Sequence, residues 1–121
     1  MKQLLLLLAF IAVLTPASKS QGVLVKFRND SGQDFQQLQA RFRDTTITLT
    51  DIRAGKMSQP VKVPKTFPYF SVSVVTGGET LTYIPIDNVG QTELTKGQLT
   101  LYLSIVPAGN GRRLELRSSK P

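Results

Sequence analysis

Gln98-Leu99-Thr100-Leu101-Tyr102-Leu103-Ser104-Ile105-Val106 decides the fold of this chain. Successive side chains of an extended strand point to opposite faces, so Leu99, Leu101, Leu103 and Ile105 share one side and Thr100, Tyr102 and Ser104 the other. The segment reads as a half-buried strand with Leu99 to Ile105 in the core.

The same period of two recurs upstream. Val23, Val25 and Phe27 alternate with Leu24, Lys26 and Arg28, and Leu38, Ala40 and Phe42 alternate with Gln37, Gln39, Arg41 and Arg43. Ile47 and Leu49 open a third strand toward Ile52, with a change of parity near Thr50 that predicts a bulge or bend. Val61 and Val63 lie between Pro60 and Pro64, and proline has no backbone donor, so this segment belongs on a sheet edge. Phe70, Val72 and Val74 run into Gly77-Gly78, a two-residue hairpin turn that needs positive φ, and Thr80, Thr82 and Ile84 lead away. Asp87 to Gly90 and Thr95 to Gly97 are further turns, and Ala108-Gly109-Asn110-Gly111 leads to a last strand at Leu114 and Leu116. The fold class implied is all-β: a single antiparallel β-sandwich, immunoglobulin-like, of seven or eight strands.

Residues 1–20 do not take part in this pattern. Lys2 followed by the apolar run Leu4 to Leu14 and the small residues Thr15 to Ser20 reads as a signal peptide, cut before Gln21 or, as an alternative, after Ala17. Residues 21–117 then form the sandwich domain and 118–121 a flexible tail. The apolar run is shorter than the roughly 20 residues of a spanning helix, so no transmembrane span is expected in the mature form. No cysteine stands at the cut site to carry a lipid, so no lipid anchor is expected either. The expected location is periplasmic or extracellular, soluble after removal of the leader.

The 121 residues contain no Cys and no His. Ser-His-Asp and Cys-His triads and zinc sites on nitrogen or sulfur ligands therefore cannot be built, and no cofactor or metal is expected. Without disulfides the domain must hold by apolar burial and sheet hydrogen bonds. Basic residues number 15 against 8 acidic ones; Lys2 and Lys19 fall in the leader, which leaves 13 against 8, a balance of +5. The bases are spread along the chain and form no run of the kind that marks a nucleic-acid-binding tail, so nucleic acid is not an expected partner.

Seven residues stand out as candidate contacts: Arg41, Arg43, Phe67, Tyr69, Asp87, Arg113 and Arg117. Arg41 and Arg43 share the polar face of one strand and Arg113 and Arg117 that of another, and the two basic stripes would merge if those strands lay in one sheet. Phe67 and Tyr69 belong to the aromatic group Phe67-Pro68-Tyr69-Phe70, a stacking platform where exposed and core where not. Asp87 sits just past a strand end, where a carboxylate can meet a ligand or cap a turn. Asn29-Asp30-Ser31-Gly32-Gln33-Asp34 gathers oxygens around a glycine, yet no Glu follows before Glu79, so an Asx turn explains it better than a calcium loop. Asn29-Asp30-Ser31 also fits the N-glycosylation pattern. Gly55-Lys56-Met57-Ser58 is no phosphate loop, because Thr50 stands where its first glycine belongs and Met57 follows the lysine.

Asn29-x-Ser31-Gly32-x-Asp34-Phe35, Gly55-x-x-Ser58, Pro85-Ile86-Asp87-x-Val89-Gly90 and Gly97-x-x-Thr100 together resemble a group of small exported bacterial β-sandwich proteins of no assigned activity. The chain departs from that pattern at Asn88, where an aromatic is expected, and at Gln91, where an acid is. The resemblance implies a bacterial envelope setting and a β-rich fold.

Export, strand patterning and the missing catalytic residue types point to a non-enzymatic binding or accessory module acting on an envelope protein or anionic envelope polymer. Two other readings are compatible with the residues. One is a structural subunit assembling by edge-strand addition at Val61 and Val63; the other is a carboxylate-based hydrolase centred on Asp87, for which nothing in the sequence brings Glu79, Glu93 or Asp51 near.

Overall fold

The structure is a computed structural model that describes residues 22–43, 45–85 and 92–119. The described residues form eight strands and no helix: β1 (Gly22–Asn29), β2 (Phe35–Arg41), β3 (Thr46–Ile52), β4 (Val61–Val63), β5 (Ser71–Thr76), β6 (Glu79–Tyr83), β7 (Lys96–Ala108) and β8 (Gly111–Ser119). They make two four-stranded sheets, ordered β4-β1-β7-β8 and β3-β2-β5-β6, called here the first and second sheet. Their inward residues meet in one apolar core, a sandwich-like arrangement.

The period-two reading places the core correctly. Val23, Val25 and Phe27 of β1, Leu38 and Ala40 of β2, Val72 and Val74 of β5, and Leu99, Leu101 and Leu103 of β7 are all buried, while Ile105 is half-buried at its rim. Phe70 joins the layers: its ring lies 4.5 Å from that of Phe42 and 6.1 Å, edge-on, from that of Phe27. Gly77 and Gly78 have φ of 57° and 79° and close the β5–β6 hairpin as the sequence predicts, a conformation that an L side chain would strain. β4 stands at the edge of its sheet, as its flanking prolines require.

The sandwich is not wholly antiparallel. β1 pairs with β7 in parallel, from Gly22 opposite Lys96 to Asn29 opposite Leu103. A parallel neighbour needs a long crossover instead of a hairpin, and here the crossover contains all of the second sheet. Strand alternation is the same for either direction, so periodicity could not reveal it.

The parity change near Thr50 is present without a break in register. Asp51 takes φ 53°, and in the facing strand both Gln36 and Gln37 are exposed between buried Phe35 and Leu38, so β2 and β3 bend together. β8 runs through Ser119, two residues into the expected tail, because β7 is long enough to offer Leu101 and Thr100 as partners to Ser118 and Ser119.

The segment 29–34 is an Asx turn whose side chains bond to one another and to neighbouring loops. Asn29 is fully buried; its Oδ1 accepts from the Ser31 amide (3.0 Å) and hydroxyl (2.7 Å), and its Nδ2 donates to the carbonyls of Gln33 (2.7 Å) and Ile52 (2.9 Å). Asp30 pairs with Arg28 and Asp34 accepts from the Ala54 amide. The burial that satisfies Asn29 also hides it from any glycosylating enzyme once the chain is folded. Gly55 donates to the Asn29 carbonyl, and Ser58 exchanges bonds with Phe27, its amide donating to that carbonyl and its hydroxyl accepting from that amide. Asn29, Asp34, Gly55 and Ser58, which carry the resemblance, therefore tie loops to strand ends. Replacing Asn29 by Ala removes four such bonds at a buried position, and we expect a loss of about 3 kcal/mol in urea unfolding; a loss below about 1 kcal/mol would show that this junction holds little.

Candidate functional site

On the outer face of the first sheet the register assembles a row that no single strand contains. Arg28 lies opposite Tyr102, and Tyr102 opposite Arg117. The Arg117 guanidinium stacks 5.0 Å from the centre of the Tyr102 ring, an attraction between cation and ring quadrupole. Lys26 stands opposite Thr100 in the next row, Lys62 opposite Leu24 beyond it, and Arg113 opposite Val106 at the far end. Against these five cations the face holds Glu115, bound to Arg113 at 2.7 Å, and Asp30, bound to Arg28 at 2.8 Å. The balance is positive, with Lys26, Lys62 and Arg117 making no ion pair among the described residues.

Arg113 and Arg117 thus belong to a basic surface, but Arg41 and Arg43 do not join it. β2 lies in the second sheet and β8 in the first, so the two stripes face away from one another and do not merge. Arg41 shares its outer face with threonine, serine and glutamine, opposite Thr46 and Ser71. Arg43 pairs with Glu93 at 3.0 Å.

Four of the candidates do meet. Arg41, Arg43, Phe67 and Tyr69 line one hollow of about 400 Å³, together with Thr66, Ser71, Pro85 and Glu93. Its floor is Phe42 and Phe70, and a two-way backbone bridge between Thr66 and Leu94 (3.0 and 2.7 Å) holds its wall. Phe67 and Tyr69 are both half-buried, and Tyr69 packs against the core, so neither is a freely exposed stacking platform. Asp87 lies outside the described residues. Among the described residues no three His, Cys, Asp or Glu side chains group as metal ligands, and no helix is long and apolar enough to cross a membrane.

Sequence reading missed Arg28 and Tyr102. Both sit at outward positions of strands whose alternation is plain, and that was the available signal. Their adjacency depends on the β1–β7 pairing, which joins segments far apart in the chain.

The chain matches no protein-family model and no curated protein. Its fold is similar to that of a protein from Eubacterium rectale solved by NMR, with a TM-score of 0.55 at 11% identity over 79% of this chain and 88% of that one. That likeness shows a shared fold.

Tyr83 is the one described group whose proton affinity departs clearly from the ordinary. Burial raises its phenol above the usual 10.0, and Tyr69 and Glu115 raise it further. The folded chain therefore holds this proton more tightly than the unfolded chain. Its contribution to stability is complete below pH 10.0 and is lost as pH rises beyond that toward the folded value. Unfolding midpoints followed from neutral to strongly alkaline pH are expected to fall less steeply in Tyr83→Phe than in the parent; superimposable profiles would disprove the assignment.

Proposed function

We propose that the protein is an exported, non-enzymatic binding module that takes an anionic envelope polymer on the outer face of its first sheet. The observation that carries this reading is the row Arg28, Tyr102, Arg117 across three neighbouring strands, with Arg117 stacked on the ring and Lys26 in the adjacent row. An open sheet face with spaced cations suits a repeating anion, because each charge can be met in turn while the ring offers an apolar surface to the polymer backbone. The leader-like residues 1–20 support export to the periplasm or the outside of the cell. The lack of His and Cys supports contact over catalysis.

The immunoglobulin-like reading is part of this proposal. From β2 onward the chain visits the two layers two strands, one, two and two at a time, which is the succession of constant-type immunoglobulin strands. The neighbour order β3-β2-β5-β6, and β1 inserted between β4 and β7, are this chain's own.

Titration with fluorescently labelled anionic polysaccharide tests the proposal, with neutral dextran as the comparison. Binding is expected for the anionic polymer alone and should weaken as salt rises. Changing Lys26 and Arg117 together to Ala should lower affinity at least ~10-fold, at about 1 kcal/mol per cation near an anionic surface. Arg41→Ala, on the opposite face, should leave it unchanged. Equal binding of dextran, or an unaffected double variant, would remove the proposal.

A further inference from the structure

Each sheet has two edges, and three of the four edge strands are protected. β4 has three residues between two prolines and carries Lys62. β8 bears Arg112, Arg113, Glu115 and Arg117, and β6 is tied to it through the Arg112–Glu79 ion pair. β3 differs: it is seven residues long, and Thr46-Ile47-Thr48-Leu49-Thr50 contains no charge, no proline and no glycine. Natural sheets rarely leave such an edge bare, since its unpaired amides and carbonyls are a template for another strand.

The backbone says which groups are free. The Phe42 amide donates to the Thr45 carbonyl at 2.8 Å, so that pair is hydrogen-bonded, and bonded and non-bonded pairs alternate along an antiparallel ladder. Ala40 with Ile47 and Leu38 with Leu49 are then the bonded pairs of the β2–β3 ladder. Thr46, Thr48 and Thr50 turn their N–H and C=O to the free edge, where no strand among the described residues receives them.

We propose that two copies of this chain join through β3 in an antiparallel pair centred on Thr48. In that register Thr46 faces the partner's Thr50, Thr48 faces the partner's Thr48, and Ile47 faces the partner's Leu49. The sequence Thr-Ile-Thr-Leu-Thr is thus self-complementary about its centre, and the residues whose backbone groups are free are those brought opposite one another. The three threonine pairs supply about six main-chain hydrogen bonds. Half-buried Ile47 and Leu49, which already pack against the core, extend the apolar layer into the partner on one side of the sheet, and the threonine side chains form cross-strand pairs on the other. Thr46 to Thr50 carry no charge themselves; Asp51 follows them in the strand, and Arg53 and Lys56 line the hollow beside Thr48 to Thr50, so charge borders the seam at its end without standing between the paired threonines. The contact is two-fold and uses the same edge on both copies, so it closes as a dimer and does not propagate. This inference rests on the β3 edge alone and is independent of the polyanion proposal.

Sedimentation of the purified full chain over a wide concentration range, with two variants, tests it. Thr48→Pro removes an outward N–H that the β2 ladder does not use, so the fold should persist by circular dichroism while the dimer is lost. Thr48→Cys places the chain's sole thiol on the two-fold axis, where facing Cα atoms about 5.5 Å apart fall within disulfide range. It should oxidise to a covalent dimer at least several-fold faster than Thr82→Cys, exposed on the same outer face but away from the seam. The cysteine pair still decides the matter if the proline variant does not fold. A parent chain that stays monomeric at every concentration, a dimer that survives in folded Thr48→Pro, or equal cross-linking of the two cysteine variants would overturn the inference.

Discussion

The parallel ladder between β1 and β7 is the constraint on which the rest of the molecule hangs. It brings Gly22 beside Lys96, 74 positions away in the chain, and sets Val23, Val25 and Phe27 in the middle of the core. β4 has β1 as its sheet neighbour, so the first sheet cannot reach its full width without this pairing. At the end of the ladder, Asn29 ties the 31–33 turn, the end of β3 and the 55–56 turn to one point. With no cysteine in the chain, such non-local bonds have to hold distant segments together without the help of a disulfide.

That ladder also divides the surface into two kinds of chemistry. Outward residues of β1, β7 and β8 are brought into register as a basic face with a tyrosine at its centre. Outward residues of β2, β3 and β5 form rows such as Thr48, Gln39, Ser73, continued to Thr82 of β6 by a hydroxyl–hydroxyl bond of 2.9 Å. Arg41 is the one cation in those rows. A charged face and a neutral edge on opposite sheets can serve two contacts at once, since neither buries the other.

Much of the fold could be read before its structure. The alternation at Leu99, Leu101 and Leu103 marks core positions because a pleated backbone can bury only one side of a half-exposed strand. Gly77-Gly78 and the prolines around Val61 and Val63 act through their own backbones, so their consequences are local and legible. The candidate residues fared unevenly for the same reason. Arg41, Arg43, Phe67 and Tyr69 gather around one hollow, but only because β2 and the 66–70 segment meet in three dimensions. Arg28 and Tyr102, 74 positions apart, could not be joined by any pattern along the chain.

The sequence by itself determined which segments are strands, which of their faces are buried, where several turns fall and that β4 lies at an edge, all of which follow from side-chain period and from the φ limits of glycine and proline. Only the tertiary structure decided that β1 runs parallel to β7, that the two arginine stripes lie on opposite faces and that β3 is the bare edge. Strand pairing is chosen by hydrogen-bond partners and apolar contacts between distant segments, and a period of two is the same whichever neighbour a strand finds.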